Sequence, residues 1–518
     1  MKILAVTPRV TISAGELASL DPEAAIPITA FNFEDTWPQD KDSSWAYLNK
    51  LLISNVLCKN NEKIRRACYL DIKHELRSLS DDNLIKLAQI IKVLEKNKDK
   101  LSGVSFECGG ARAIFPGLGA AIVFRIISDL LGVSYNDENP TPSFNTFSGN
   151  SGASILAACM AVKMPVQDLY KICSHDFSNL PGNPKFLMSL LDGGLKASYY
   201  HSTSREVNGD LTNKHLKEIG SRLCIPLGIH GGGFLGNLIP QEIFYLPEDP
   251  TSSSQSLNVD GISIPWIVTA SCNLLPLFRN SESFYFNHPT LTDNKTVYLV
   301  DPGCLSKNSL PLEATKQALL GDKIMFSVGA SKPRTTLKTF EFGGNPSYLK
   351  RWLAASMDIL VDSFDYISGE RVEKTIDRLG TLASHVKTTY QAYDQKKGRM
   401  IKVSTGQFAT PEDLITLVKA NRDLVINQLH NSLVDEEYLQ SKGINSFDAH
   451  AIWKSQVERT RSLSRRQSSR TYPQAITSQP EINRAIVEAR QSIGSVKKLA
   501  HLPKTIKDLA AAASFLMF

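Results

Sequence analysis

The sequence predicts an α/β fold, a sheet with helices on both faces that carries helical extensions at both ends. The first observation is that short apolar runs alternate with glycine turns and helical stretches between residues 102 and 335. The second is that apolar residues on either side of this region recur at helical spacing. The third is length: 518 residues exceed the roughly 250–300 residues that one hydrophobic core usually supports.

Residues 1–101 are predicted to form an N-terminal helical segment, after a loop-like stretch over residues 1–40. Apolar residues recur at helical spacing from Tyr47 to Val56. Ser80 stands before a second apolar periodic run and predicts a helix N-cap there.

The region 102–335 is predicted to be the α/β domain. Its apolar runs predict strands at 104–106, 144–147, 264–270 and 297–300, and helices at 115–131 and 152–162.

The region 336–458 is predicted to be a C-terminal helical region, because strand signals fade after about residue 337. The predicted helices span 348–361, 372–390, 411–433 and 446–459.

Residues 459–518 are predicted to be a basic linker and tail. The segment 451–518 carries 12 Lys or Arg and 4 Asp or Glu, a net charge of +8. The rest of the chain has a net charge of −2, so the positive excess of the protein lies in this segment. Such a tail favours an anionic partner, either a lipid surface or nucleic acid. A solvated tail without a partner is an equally good interpretation.

The chain shows no sequence pattern typical of a secreted or membrane-spanning protein. Its eight cysteines include no C-x-x-C pair, and the apolar run Ile3–Val6 is too short for a signal peptide. The best candidate span, 120–133, contains Arg125 and Asp129. These observations predict a cytoplasmic or peripheral membrane protein.

A candidate nucleophile lies in the stretch Gly149-Asn150-Ser151-Gly152-Ala153, which matches four of the five positions of G-x-S-x-G. A nucleophilic serine on a tight turn between a strand and a helix needs small neighbours, which these residues are. The alternative interpretation is a glycine-rich turn that only joins a strand to a helix.

A glycine pair upstream predicts an oxyanion hole. Gly109, Gly110, Ala111 and Arg112 follow the first predicted strand and lead into a helix. Consecutive glycines allow backbone N–H groups to turn towards a developing oxyanion. A phosphate-binding turn or a plain connection would produce the same pattern.

A candidate base is Asp301, which ends the predicted strand 297–300 and precedes Pro302 and Gly303. A carboxylate beside the serine can accept its proton directly. Asp192, followed by two glycines, is a rival. We favour Asp301 because catalytic groups of open α/β sheets lie at strand ends.

A third motif, His230-Gly231-Gly232-Gly233, has the form of an esterase oxyanion loop but follows Ser151 instead of preceding it. We interpret it as a loop near the cleft. The remaining histidines show no metal-ligand spacing.

These elements, in this order, resemble the patatin-like phospholipases. Gly109 to Arg112 is similar to the oxyanion loop of that family, residues 149–153 to its serine elbow, and Asp301 with Gly303 to its aspartate motif. The stretch 270–278 is similar to A-S-x-x-x-P-x-x-F with the proline one place later, and Asn308 with Pro311 is similar to N-x-x-P.

The resemblance covers about residues 102–325 and implies a three-layer α/β/α sheet. It also implies that Ser151 attacks a fatty-acyl ester, that Asp301 serves as base, and that the 109–111 amides bind the oxyanion. Arg112 would brace that loop or meet a phosphate head group. The activity would be that of a phospholipase A, or lipid acyl hydrolase in lipid metabolism.

The resemblance also implies partners and a location. No metal or cofactor is required, the substrate is a phospholipid or another fatty-acyl ester, and nucleic acid is not expected. The basic tail would meet an anionic membrane. Relatives with helical flanks and no signal peptide include bacterial effectors that are delivered into host cells, some of which need a protein activator.

Four departures from the family motifs motivate an alternative function. Cys108, Ala113, Ala153 and Pro302 stand where the family has glycine. The alternative is a catalytically weak or inactive binding protein that keeps the fold and acts through its helical C-terminal region.

Overall fold

The computed structural model describes fifteen stretches of the chain. These are residues 37–57, 62–107, 111–135, 139, 141–175, 184–230, 240–247, 260–273, 284–289, 292, 294, 296–302, 324–330, 385–402 and 411–434. The chain divides into two compact units, Met1–Val457 and Glu458–Phe518. The second unit, residues 1–36 of the predicted 1–40 loop, and the predicted helices at 348–361 and 446–459 lie outside the described residues.

The predicted N-terminal helices are confirmed. Helix α1 spans Lys41–Leu51 and continues as a π-helix over Leu52–Leu57; α2 spans Glu62–Arg77 and α3 spans Asp81–Glu95. The side chain of Ser80 accepts a hydrogen bond from the Asn83 N–H, which caps α3 as the sequence predicts.

The centre of the molecule is a mostly parallel sheet of eight strands flanked by helices, which is compatible with a three-layer α/β/α fold. Its strands are β1 Leu101–Phe106, β2 Thr146–Gly149, β3 Arg222–His230, β4 Pro240–Pro247, β5 Tyr285–Phe286, β6 Val297–Val300, β7 Ile324–Ala330 and β8 His385–Thr388. The strands are joined by hydrogen bonding in the order β5-β6-β3-β2-β1-β7-β8, and β4 pairs with β3 along the edge opposite to β2 and β6.

Strands β3, β2, β1, β7 and β8 are parallel to their neighbours, so their carboxyl ends share one edge of the sheet. Strands β4 and β6 run antiparallel to β3. A separate antiparallel hairpin follows β8 and consists of β9 Gln391–Asp394 and β10 Arg399–Lys402.

The flanking helices are α4 Ala111–Leu130, α5 Ala153–Ala161, α6 Val166–Cys173, α7 Pro184–Thr203, α8 Asn213–Glu218, α9 Ile264–Ser271 and α10 Pro411–Leu433. Helix α4 packs against α10 so closely that a Cβ on Gly119 would lie 2.6 Å from the Val418 carbonyl oxygen. Only a glycine allows the two backbones this approach.

Two predicted elements are wrong. The stretch Ile264–Ala270, predicted as a strand, lies in helix α9. A short buried apolar run has no periodicity that separates helix from strand, but Pro265 in the first turn is typical of a helix start.

The predicted helix over 372–390 is wrong at its C-terminal end, where His385–Thr388 is strand β8 of the central sheet. The region 336–458 is therefore not purely helical, although α10 matches the predicted 411–433. The chain re-enters the sheet beyond the predicted boundary at residue 335.

Within the described residues, one helix stretch, Ala113–Leu130, is long and apolar enough to cross a membrane, and it is wholly buried inside the protein. Its charged residues Arg125 and Asp129 pair with each other at 2.8 Å between Nε and Oδ2. The helix thus has the features of a core helix.

Candidate active site

Ser151 lies on a tight turn between β2 and α5. Its φ angle of 54° is in the left-handed region, which is uncommon for a residue with a side chain. The turn also needs Gly149, because a Cβ there would lie 2.4 Å from the Ala153 carbonyl oxygen. The strand-turn-helix context and small neighbours predicted for this serine are therefore present.

The register of β3 explains how Asp301 reaches this turn. Cys224 pairs with β2 on one side and with β4 on the other, whereas Gly228 pairs with β4 and with β6. Strands β2 and β6 thus lie along the same side of β3, β2 parallel to it and β6 antiparallel. Their carboxyl ends point towards each other, so the residues that follow them meet in the gap.

Ser151 and Asp301 are hydrogen-bonded in that gap. The Ser151 hydroxyl donates to Asp301 Oδ2 over 2.5 Å, across 150 residues of sequence. Both residues are buried, with 9% of Ser151 and 5% of Asp301 exposed. A carboxylate in this position can take the proton of the hydroxyl without an intervening histidine.

The backbone of the Ser151 turn is fixed by two serines. The Ser151 N–H donates to Ser271 Oγ over 3.1 Å, and the Ser271 hydroxyl donates to the Pro226 carbonyl over 3.1 Å. The Ser154 hydroxyl donates to the Ser151 carbonyl over 2.6 Å. Ser271 is a positioning residue that the sequence reasoning missed; its only signal was membership of the 270–278 stretch.

Asn273 positions the aspartate in the same way. The Asp301 N–H donates to the Asn273 carbonyl over 2.8 Å. The Asn273 side chain donates to the Leu299 carbonyl over 2.7 Å and so ties the end of α9 to β6. Helix α9 and the two residues after it therefore hold both candidate catalytic residues, Ser151 through Ser271 and Asp301 through Asn273.

Two polar groups beside the candidate nucleophile make no hydrogen bond among the residues that the structure describes. The Asn150 side chain is fully buried, and neither its Nδ2 nor its Oδ1 makes a hydrogen bond. The Gly152 N–H makes none within the part of the chain that the structure describes. Unmade hydrogen bonds of buried groups are costly, typically about 1–3 kcal/mol each, so such donors next to a nucleophile are suited to a ligand.

The remaining predicted residues have mixed outcomes. Gly109, Gly110 and Gly303 lie outside the described residues, as do Asn308 and Pro311. Ala111 and Arg112 form the start of α4, directly after β1 and the undescribed loop, and their side chains are not described. The oxyanion loop stays a prediction.

Of the two rival motifs, the structure describes Asp192 and only the first residue of the histidine-glycine motif. Asp192 lies inside helix α7, where it pairs with Lys196 at 2.6 Å one turn later. His230 is the last residue of β3, and the glycines that follow it lie outside the described residues.

The cysteine beside the aspartate is not a competing nucleophile. Burial raises the pKa of the Cys272 thiol far above its ordinary value, and the negative charge of Asp301 raises it further. A thiol in this state holds its proton, and the thiolate is the reactive form of cysteine.

The described residues hold no group of three or more His, Cys, Asp or Glu side chains that could bind a metal ion. A cavity of about 30 Å³ lies away from the dyad, among Arg125, Asp129 and Lys163. Lys163 donates there to the Tyr135 carbonyl over 2.7 Å.

No protein-family model matches this chain. No curated protein matches it in a sequence comparison either.

Proposed function

We propose that this protein is a lipid acyl hydrolase of the patatin-like phospholipase A type, with Ser151 as nucleophile and Asp301 as base. The observation that carries the proposal is the buried 2.5 Å hydrogen bond from the Ser151 hydroxyl to Asp301 Oδ2. The left-handed φ of Ser151 supports it, because backbone strain of this kind collects at reactive turns.

Both half-reactions follow from this pair. The Ser151 Oγ attacks the ester carbonyl carbon while Asp301 takes the hydroxyl proton, and a tetrahedral oxyanion forms. Asp301 then returns that proton to the leaving glycerol oxygen, and the fatty acid stays on Ser151 as an ester. Water attacks this ester, Asp301 accepts its proton, and the fatty acid leaves as Ser151 recovers its hydrogen.

The oxyanion needs fixed N–H donors, and the Gly152 N–H is one that has no other described partner. The residue after the nucleophile commonly supplies such a donor in serine hydrolases. It also lies at the start of α5, where the helix dipole favours negative charge. The resemblance assigns the other donors to Gly109, Gly110 and Ala111.

The choice of a lipid substrate rests on the resemblance of the motifs, because the dyad itself would serve any activated ester. Arg112 directly follows the predicted oxyanion residues Gly109, Gly110 and Ala111, and by the resemblance its cation would meet a phosphate head group. A phospholipid is therefore the first substrate to test.

The test is fatty-acid release from mixed phospholipid vesicles, with and without host-cell extract as a source of activator. We expect Ser151→Ala and Asp301→Asn each to lose activity by roughly a thousandfold or more. Asp192→Asn is the matched control, because it changes the rival aspartate, and it should retain full activity. Equal release by wild type, Ser151→Ala and Asp301→Asn would refute the proposal.

The alternative function is a binding protein with the same fold and little turnover. The observation in its favour is that only 9% of Ser151 and 5% of Asp301 are exposed. A fluorophosphonate probe separates the two functions, since it labels only an accessible, activated serine. Labelling of wild type that disappears in Ser151→Ala would exclude the alternative.

A further inference from the structure

The β9–β10 hairpin exposes an apolar pair. Tyr393 and Met400 are cross-strand partners, with 58% and 46% of their surfaces exposed. The next cross-strand pair, Ala392 and Ile401, faces the other way and is buried. The hairpin therefore has one face packed on the protein and one face that presents large apolar side chains to solvent.

The turn of this hairpin is basic and fixed in shape. Lys396 and Lys397 are both exposed, and their backbone N–H groups donate to Asp394 Oδ1 over 2.9 and 3.2 Å. Gly398 completes the turn with a φ of 61°. The Asp394 carboxylate is buried, whereas both lysines are exposed, and Lys397 Nζ also pairs with Asp413 at 3.4 Å.

The hairpin lies at the same edge of the sheet as Ser151. Strand β8 is linked through β7 and β1 to β2, all parallel, so the segments that follow β8 and β2 leave the sheet at one edge. Three strand spacings separate β8 from β2, which is about 14 Å.

Helix α10 shows that the hairpin projects beyond this edge. Asn421 bonds to the backbone of Thr389, just after β8, and Asp413 pairs with Arg399 in the hairpin at 2.9 Å. Asn421 lies eight positions after Asp413, and at a rise of 1.5 Å per residue the two are about 12 Å apart along the helix axis. Ile415, near that end of α10, is another exposed apolar residue, at 45%.

We propose that this hairpin docks the protein onto an anionic phospholipid bilayer. Tyr393 and Met400 would enter the interface between head groups and acyl chains, a depth that suits a phenol and a flexible thioether. Lys396 and Lys397 would meet the anionic head groups. The surface is distinct from the basic tail, and the proposal is independent of Ser151 chemistry.

The test measures binding of the full chain to sedimented vesicles of diether phosphatidylserine and phosphatidylcholine, whose ether bonds an acyl hydrolase leaves intact. We expect Tyr393→Ser/Met400→Ser to weaken binding at least tenfold. The matched control is Leu70→Ser/Tyr200→Ser, which removes two apolar side chains that are 46% and 37% exposed on helices α2 and α7. The control should bind within twofold of wild type.

Charge is tested by Lys396→Gln, which leaves the ion pairs of Lys397 and Arg399 with Asp413 in place. Its binding should fall several-fold at low salt and match wild type at high salt, where screening removes the attraction.

Equal binding by the Tyr393→Ser/Met400→Ser variant and wild type, or no binding by wild type, would overturn the proposal. So would a wild-type dimer that this variant abolishes while vesicle binding persists. Binding to the diether vesicles together with no fatty-acid release from ester-linked phospholipid vesicles would contradict only the proposed function.

Discussion

Two buried polar clusters of this protein differ in how completely their groups are satisfied. The Arg422 guanidinium of α10 is 1% exposed and donates to Glu75 Oε2 over 2.7 Å, to the Ser78 hydroxyl and to the Ser78 carbonyl. The Ser151 turn has a strained φ, a two-member hydrogen-bonded pair and, beside it, an Asn150 amide without a partner.

We interpret the difference as one between a structural role for the Arg422 cluster and the proposed chemical role of the Ser151 cluster. Arg422 joins residues 347 positions apart and ties α10 to the N-terminal helix α2, so its cluster holds the architecture together. The Ser151 cluster keeps strain and unused donors that a purely structural turn would not need. We therefore expect substitutions at Arg422 to change stability, and substitutions at the Ser151 turn to change chemistry.

The largest stability effect is expected for Arg422→Met. Removing one partner leaves the Glu75 carboxylate buried without its cation, which typically costs about 3–5 kcal/mol. Chemical denaturation followed by circular dichroism would measure the free energy of unfolding. Lys171→Met is the matched control, because its exposed pair with Asp168 should contribute about 1 kcal/mol or less. A loss no larger than the control's would remove the contrast between the clusters.

A smaller effect is expected for Ser271→Ala. The Ser151 N–H and the Pro226 carbonyl would each lose a buried partner, at a cost of about 1–3 kcal/mol. Because the turn would also lose its brace, the rate of ester hydrolysis should fall more than the Michaelis constant changes. Ser154→Ala, which removes the bond to the Ser151 carbonyl, is the companion variant. An unchanged rate in Ser271→Ala would show that α9 does not position the nucleophile.

The smallest expected effect is a difference in stability between two variants of Ser151. Ser151→Gly and Ser151→Ala both remove the hydroxyl, but only glycine adopts a φ of 54° without strain. The glycine variant should be more stable than the alanine variant by about 1 kcal/mol. Thermal unfolding of the two proteins side by side measures this difference, and identical stabilities would mean that the turn relaxes once the hydroxyl is gone.

Much of the site was predictable because motif chemistry is local. The elbow around Ser151 and the strand before Asp301 are each written in a few adjacent residues, and the expected strand-end placement selected Asp301 over Asp192. The braces were not predictable, since Ser271 meets Ser151 from 120 positions away. Strand β6 runs antiparallel to β3, and this direction brings Asp301 to the gap. A four-residue apolar run does not predict the direction of its strand.

The C-terminal part of the sheet shows the limit of periodicity. Strand β8 has four residues, too few to outweigh the helical spacing of the segment before it. Strands β9 and β10 are equally short. Because their apolar residues Tyr393 and Met400 are exposed, the segment lacks the apolar alternation that predicts a half-buried strand. The hairpin could therefore be recognised only once its pairing was known.

The most direct test of the dyad is mass-spectrometric mapping of a fluorophosphonate adduct on wild type, Asp301→Asn and Asp192→Asn. The account predicts an adduct on Ser151 in wild type and in Asp192→Asn at equal rates, and a rate in Asp301→Asn that is lower by a hundredfold or more, on the order expected for loss of a general base. An adduct on another residue, or equal labelling of Ser151 in all three proteins, would contradict it.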